Sequence, residues 1–251
     1  MQRCPFALCA SLAALIGISL EARAAVVYDG IQGVATASAT GSTPRTYVGQ
    51  PFNIQDPGGG APVAITQLVI RGFVSGAQSF TETRMRVQFW DTFDPGATGT
   101  ALIFSNPNAA GIQTQLTGPI TTTGSASRTF TFDFSSSPII LNSLTNLGIS
   151  ANWQSFDGSG FVDNTNLTIG LRNASFPAMT VGTNLAPSNG FFRNASGLTD
   201  FNFQADDART LTGVTTGGIV FSLTGETIPE PASVAVFGLG IALLGRRRRN
   251  S

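Results

Sequence analysis

Apolar and polar residues alternate with a period of two along much of this 251-residue chain, and that period dictates strands. Successive side chains of an extended strand point to opposite faces, so an alternating segment buries one face and wets the other. Phe130, Phe132 and Phe134 alternate with Thr129, Thr131 and Asp133. Met85, Val87 and Phe89 alternate with Arg84, Arg86 and Gln88. Leu147, Ile149, Ala151 and Trp153 share a parity, as do Leu167, Ile169 and Leu171, and then Ile219, Phe221 and Leu223. Residues 26–28, 65–74 and 201–203 are further strand candidates. Turn-forming clusters separate these runs, at Asp56-Pro57-Gly58-Gly59-Gly60, Asp94-Pro95-Gly96, Ser105-Asn106-Pro107-Asn108, Asp157-Gly158-Ser159-Gly160 and Pro187-Ser188-Asn189-Gly190.

No segment between the ends carries a helical period, and no repeat of fixed length recurs, which argues against a propeller or solenoid. The expected fold is all-β: a single antiparallel β-sandwich of jelly-roll type spanning residues 25–226. The Phe130, Phe132 and Phe134 stripe is its expected core.

The chemistry available to that body is narrow. There is no histidine, and both cysteines, Cys4 and Cys9, lie near the N-terminus. Ser-His-Asp catalysis, thiol nucleophiles, disulfides and His- or Cys-based zinc sites are therefore excluded from the body. Every basic residue is an arginine, and six of the 14 (Arg3, Arg23 and Arg246 to Arg249) sit at the two ends. The remaining eight face twelve acids, so the neutral overall balance conceals a mildly acidic body. Such a body is a poor nucleic-acid binder.

The ends read as addresses. Residues 1–24 carry Arg3, an apolar stretch over 6–20 and Ala22-Arg23-Ala24, the pattern of a secretory signal peptide with an A-x-A cleavage site at Ala22 and Ala24. The Sec translocon and signal peptidase are the partners it implies. Residues 227–251 hold three parts: a motif at 228–231, an uncharged apolar run at 232–245, and the basic stop Arg246, Arg247, Arg248 and Arg249. As a helix the run reaches about 21 Å, short of the roughly 20 residues a bilayer asks for, a gap that snorkelling arginines close. The arginines then lie on the cytoplasmic side and everything upstream lies outside. Pro229 and Pro231 fix φ around Glu230 and lack N–H donors, which keeps the tripeptide extended and open to an enzyme.

Pro229-Glu230-Pro231, the apolar run and the four arginines closely resemble the PEP-CTERM sorting tail of exported bacterial proteins. That tail is also labelled an ice-binding protein C-terminal domain. The resemblance covers about the last 24 residues and implies recognition and cleavage by an exosortase, in a bacterium that makes extracellular polysaccharide.

Candidate sites in the body are few. Asp157, Asp163, Asn164 and Asn166 offer oxygen ligands for Ca²⁺, but without the carboxylate spacing of an EF-hand; a solvated hairpin loop is the simpler expectation. Paired carboxylates suffice for glycoside hydrolysis, yet the body holds only Glu82 and Glu226 as glutamates. Trp153 has core parity. Trp90 shares the parity of Arg86 and Gln88, the expected wet face, and is the candidate for stacking on a sugar ring. Tyr28 and Tyr47 are weaker candidates. The expectation is an exported, non-enzymatic surface or extracellular-matrix protein without metal or cofactor, held at the inner membrane before passing to the envelope. The alternative is a carbohydrate-binding module acting on extracellular polysaccharide.

Overall fold

The computed structural model describes residues 24–31, 37–38, 48–58, 60, 62–92, 109–171, 179–185, 191–193, 207–209 and 218–228. In chain order the strands are β1 (Ala25–Asp29), β2 (Ala37–Ser38), β3 (Val48–Asn53), β4 (Val63–Val74), β5 (Ala77–Phe80) and β6 (Thr83–Trp90). There follow β7 (Ala109–Leu116), β8 (Ile120–Thr123), β9 (Ala126–Asp133), β10 (Ile139–Leu141), β11 (Leu147–Phe156) and β12 (Phe161–Asp163). The last are β13 (Leu167–Leu171), β14 (Thr183–Asn184), β15 (Phe191–Arg193), β16 (Asp207–Arg209) and β17 (Phe221–Thr227). Among the described residues there is no helix, and every strand pairing is antiparallel. The strand runs expected at 84–89, 147–153 and 167–171 fall on β6, β11 and β13; that at 129–134 falls on β9 as far as Asp133, and that at 219–223 enters β17 at Phe221, with Ile219 in an isolated bridge to Leu171. Those at 26–28 and 65–74 fall on β1 and β4, and residues 201–203 lie outside the described residues.

Two sheets carry the body. The first runs β1-β17-β4-β13-β2, with β9 and β10 also on β4; the second runs β16-β15-β3-β11-β6-β7, with β12 on β11 and β14 on β3. A small ribbon, β5 with β8, stands beside them. β4 is the spine of the first sheet. One edge takes β9 along Gln67–Val74 and β10 along Val63–Ile65, and the other takes β17 and β13.

β4 also shows how strict alternation is broken and rescued. Val63 and Ile65 are buried at odd positions, whereas Leu68, Ile70 and Val74 are buried at even ones. The switch falls at Thr66, which the register with β17 skips between Gln67 and Ile65. The extra residue of a bulge turns the strand by one step, so both halves aim their apolar side chains inward. The Thr66 carbonyl still accepts from the Phe134 N–H at 2.7 Å, so the bulge leaves that group satisfied.

One apolar core joins the inner faces of both sheets. Tyr28 on β1 stacks on Phe221 of β17 at 4.3 Å between centroids, and Phe52 of the second sheet meets both rings edge-on at 5.3 and 5.4 Å. Phe89 of β6 meets Phe134 at 6.4 Å, and Trp153 of β11 meets Phe130 at 5.0 Å. Trp153 crosses so closely that a Cβ on Gly72 of β4 would lie 2.5 Å from its ring. A two-pronged tie closes the rim, where Asp91 after β6 accepts from the Asn142 N–H at 2.7 Å and from its amide at 2.6 Å. The expected phenylalanine stripe is core: Phe132 and Phe134 are buried and Phe130 packs half-buried against the same cluster.

Gln50 and Tyr28 are polar groups paired inside this core. Gln50 of β3 donates to the Tyr28 hydroxyl at 3.2 Å and accepts from the Ile219 N–H at 2.6 Å. Burial pushes the Tyr28 phenol far above its ordinary range, against the pull of the Gln50 hydrogen bond, so it stays neutral.

Candidate functional site

The body ends where the tail begins. β17 pairs with β4 through Thr227, and the next residue, Ile228, donates its N–H to the Pro62 carbonyl at 3.1 Å. No spacer separates this last tie from Pro229. At the other end, Ala24 is exposed and β1 starts at Ala25, opposite Gly225 of β17. Both ends of the body therefore leave from the same end of two neighbouring strands of the first sheet. Ala22, Pro229, Glu230, Pro231 and Arg246 to Arg249 lie outside the described residues, as does the apolar run at 232–245. Among the described residues no helix is long and apolar enough to cross a membrane.

A second feature lies on the outer face of the second sheet. Gly148, Ser150, Asn152 and Gln154 of β11 stand opposite Trp90, Gln88, Arg86 and Arg84 of β6. Their alternate neighbours, Ile149, Ala151 and Trp153 with Phe89, Val87 and Met85, fill the core, which places this set on the other side. Asp163 of β12 sits beside Gln154 and accepts at one oxygen from both the Asn152 and Gln154 amides, each at 2.9 Å. The Gln154 carbonyl oxygen in turn accepts from Arg84 Nε at 2.8 Å. The Arg84 guanidinium lies 4.4 Å from the centre of the Phe161 ring, and Phe161 meets Phe156 at 5.5 Å. The result is a continuous polar row capped by two aromatic rings.

A family model described as the PEP-CTERM protein-sorting motif matches residues 227–249. The chain carries a PEP-CTERM sorting tail. The match starts at Thr227, the last residue of β17, and so covers the tail and no more than that one residue of the strands. The motif implies an exported protein with a membrane-anchored sorting signal and an exosortase as its processing partner. No curated protein and no solved structure matches the chain.

Ahead of the PEP-CTERM tail, the candidates expected from sequence sort unevenly. Trp153 is buried as expected, with its indole N–H donated to the Thr117 hydroxyl at 3.1 Å. Trp90 corrects the expectation of a wet, sugar-stacking ring, because it is 0% exposed. Its parity is as expected, since it stands outside the core on the outer face. That face is closed at this point, and the ring lies against Gly148, where a Cβ would come within 3.0 Å. Alternation reveals which face a residue occupies, not whether that face is wet. Tyr28 is likewise buried, and Tyr47 lies outside the described residues.

The Asp157 segment forms a hairpin turn. One Asp157 oxygen accepts from the Ser159 N–H and hydroxyl at 2.8 Å and from the Gly160 N–H at 3.0 Å. Those bonds hold its carboxyl below the ordinary value of 3.8, the Ser159 N–H contributing most. Asp163 is turned to the amides of β11, and the Asn164 side-chain oxygen caps the Asn166 N–H at 2.9 Å. Among the described residues no three His, Cys, Asp or Glu side chains gather to hold a metal ion. The row on β6 and β11 escaped sequence reading because Ser150, Asn152 and Gln154 look like ordinary solvent-facing residues. The one available signal was their unbroken amide and hydroxyl character opposite Gln88.

Proposed function

We propose that the chain is a non-enzymatic surface or extracellular-matrix protein whose β body is delivered through its PEP-CTERM tail. The observation that carries this reading is the abutment of the sorting motif, from residue 227, on the last strand of the body. In this reading residues 1–24 are removed as a signal peptide, freeing Ala25 at the start of β1. The run at 232–245 forms a short membrane helix stopped by Arg246 to Arg249, which holds the body outside the inner membrane. Exosortase cleavage near Pro229–Pro231 then releases the body to the envelope, surface or polysaccharide matrix. A two-sheet body of this kind suits a jelly-roll arrangement of the sandwich. The absence of histidine from the chain and of cysteine beyond residue 9 supports a structural rather than catalytic role.

The test is the mass of the mature C-terminus in strains with and without the exosortase. Cleavage near 229–231 is expected only where the enzyme is present, and an intact tail in both strains defeats the processing step. The second reading, a carbohydrate-binding module, loses Trp90 as its contact. It is favoured instead by the polar row of β6 and β11.

A further inference from the structure

We infer that the free edge of β7 is a self-pairing surface, and that its occupant is β7 of a second copy of this chain. β7 ends the second sheet: among the described residues it pairs with β6 and with no other strand. The Thr117 N–H donates to the Thr83 carbonyl at 2.8 Å, which fixes the phase of the β6–β7 ladder. Odd residues of β7 therefore aim their backbone groups at β6, while Ile112, Thr114 and Leu116 aim theirs at the open edge. Ile112 is 46% and Leu116 59% exposed, and Thr114 and Gln115 are exposed as well. Successive residues of a strand face opposite ways, so exposure at 114, 115 and 116 together leaves both faces of this stretch uncovered.

Open strand edges invite a further strand, and proteins ordinarily guard them with charge, proline or a covering segment. Two other edges are guarded in this way. β9, at one side of the first sheet, carries exposed Arg128 and Asp133. β1 is covered by bonds from the Gln55 N–H to the Val27 carbonyl at 2.7 Å and from the Asp29 N–H to the Val181 carbonyl at 3.1 Å. β7 has neither charge nor proline.

The pattern of β7 fits a second copy. Antiparallel pairing about Thr114 sets Thr114 opposite itself and Ile112 opposite Leu116 of the second copy. These are the residues whose backbone groups face outward, so this register makes about six backbone hydrogen bonds and joins the exposed apolar side chains in cross-strand pairs. Moving the two-fold axis to Gln113 would set Ile112 against Thr114 and Leu116 against Ala110, which loses the apolar pairs. Pairing consumes the edge of both copies, so it closes as a dimer rather than running on as a fibre.

Antiparallel pairing also turns the two bodies end for end. The close of β6 lies where the tail leaves the body: Asp91 holds Asn142, whose neighbour Leu141 faces Val63, and Val63 faces Thr227. In the dimer these ends point in opposite directions, so two chains whose tails sit in one membrane do not pair. This step rests on the proposed anchoring, and on that reading pairing waits for release.

The experiment uses the full-length chain in detergent, with Cys4→Ser and Cys9→Ser so that an introduced thiol stands alone. Sedimentation is expected to show a reversible dimer that grows with concentration up to about 100 µM, since so short an interface binds weakly. Thr114→Lys sets like charges face to face across the two-fold and should return the chain to a monomer. Its strand content by circular dichroism should not change, because Thr114 is exposed in the single chain. Thr114→Cys should oxidise to a disulfide dimer, as such paired Cα atoms stand about 5.5 Å apart, within disulfide reach. Thr129→Cys, exposed on β9, should not. Should Thr114→Lys fail to fold, the cross-linking decides. A chain monomeric throughout, a dimer that survives Thr114→Lys, or equal cross-linking at 114 and 129 overturns the proposal. In cells, the Thr114→Cys cross-link is expected only where the exosortase is present, and a cross-link between chains with intact tails overturns the release step. The C-terminal mass reports processing separately, so failure of pairing is not confused with failure of sorting.

Discussion

Phe132 sits at 1% exposure where β9 pairs with β4, opposite Leu68, and its ring packs beside Phe134 at 6.0 Å. Burying such a ring contributes roughly 1.5–3 kcal/mol, and a carboxylate in its place adds the cost of an unpaired buried charge. Phe132→Asp is therefore expected to cost about 4 kcal/mol or more, a large share of the roughly 5–15 kcal/mol that keeps a domain folded. Thermal melting checks it: an unaltered midpoint would remove Phe132 from the core. The neighbouring contact is more delicate. Trp153 spans the core to lie on Gly72, and the 2.5 Å left for a Cβ means that Gly72→Ala must push the indole aside. Overpacking of that kind costs about 1–3 kcal/mol. Denaturant unfolding should show the loss in Gly72→Ala, and restoring stability with Trp153→Phe in the same chain would tie it to this contact. The two tryptophans mark the limit of parity at this scale. Trp153 was legible because an inward parity in a two-sheet body means burial. Trp90 was not, because burial of an outer face depends on what lies over it, which period-two spacing does not encode.

Among elements, the legible strands are those whose two faces differ sharply, as in β6, β9 and β17. β3 and β7 are among those that escaped. β3 contains Gly49, Gln50 and Pro51, and β7 reads Ala109-Ala110-Gly111-Ile112-Gln113-Thr114-Gln115-Leu116, so neither alternates. Pairing with β11 and β6 holds them in place where local pattern does not. The break at Thr66 is a different case, because a bulge shifts parity without any compositional mark. Turns were more transparent, and the β11–β12 hairpin shows why. Asp157 followed by Gly158, Ser159 and Gly160 supplies both the acceptor and the flexible backbone, with Gly158 at a φ of 101°. Because hydrogen bonds depress the Asp157 carboxyl below 3.8, the folded turn binds its proton less readily than the unfolded chain does. Its contribution is fully present above pH 3.8 and fades as pH falls through the lower folded value. NMR titration should find the Asp157 carboxyl below its ordinary value, with the Ser159 and Gly160 amides shifting in step. A titration at or above 3.8 would dissolve the turn assignment.

For the molecule as a whole, the decisive geometry is where the address meets the body. β17 is central rather than peripheral, flanked by β1 on one side and β4 on the other, and it brings Phe221 and Leu223 into the core. Ile228 closes this strand onto Pro62, and the sorting motif follows at once. Cleavage near 229–231 would therefore trim the chain at the first position that spares every strand described. That placement predicts that the tail is dispensable for folding and that the seven residues of β17 are not. A chain ending at Ile228 is expected to keep the melting midpoint of the full-length protein within about 2 °C, because it retains every strand described and a change that spares them stays within about 0.5 kcal/mol. A chain ending at Val220 loses β17, exposes the inner edges of β1 and β4, and strips Phe221 from its stack on Tyr28 at 4.3 Å. With several kcal/mol of burial gone and two strand edges unpaired, it should fail to fold and should aggregate through those edges. Melting and size-exclusion profiles of the two truncations decide the matter. Equal stability of both would place the boundary of the body upstream of β17, and instability of both would make the tail part of the fold.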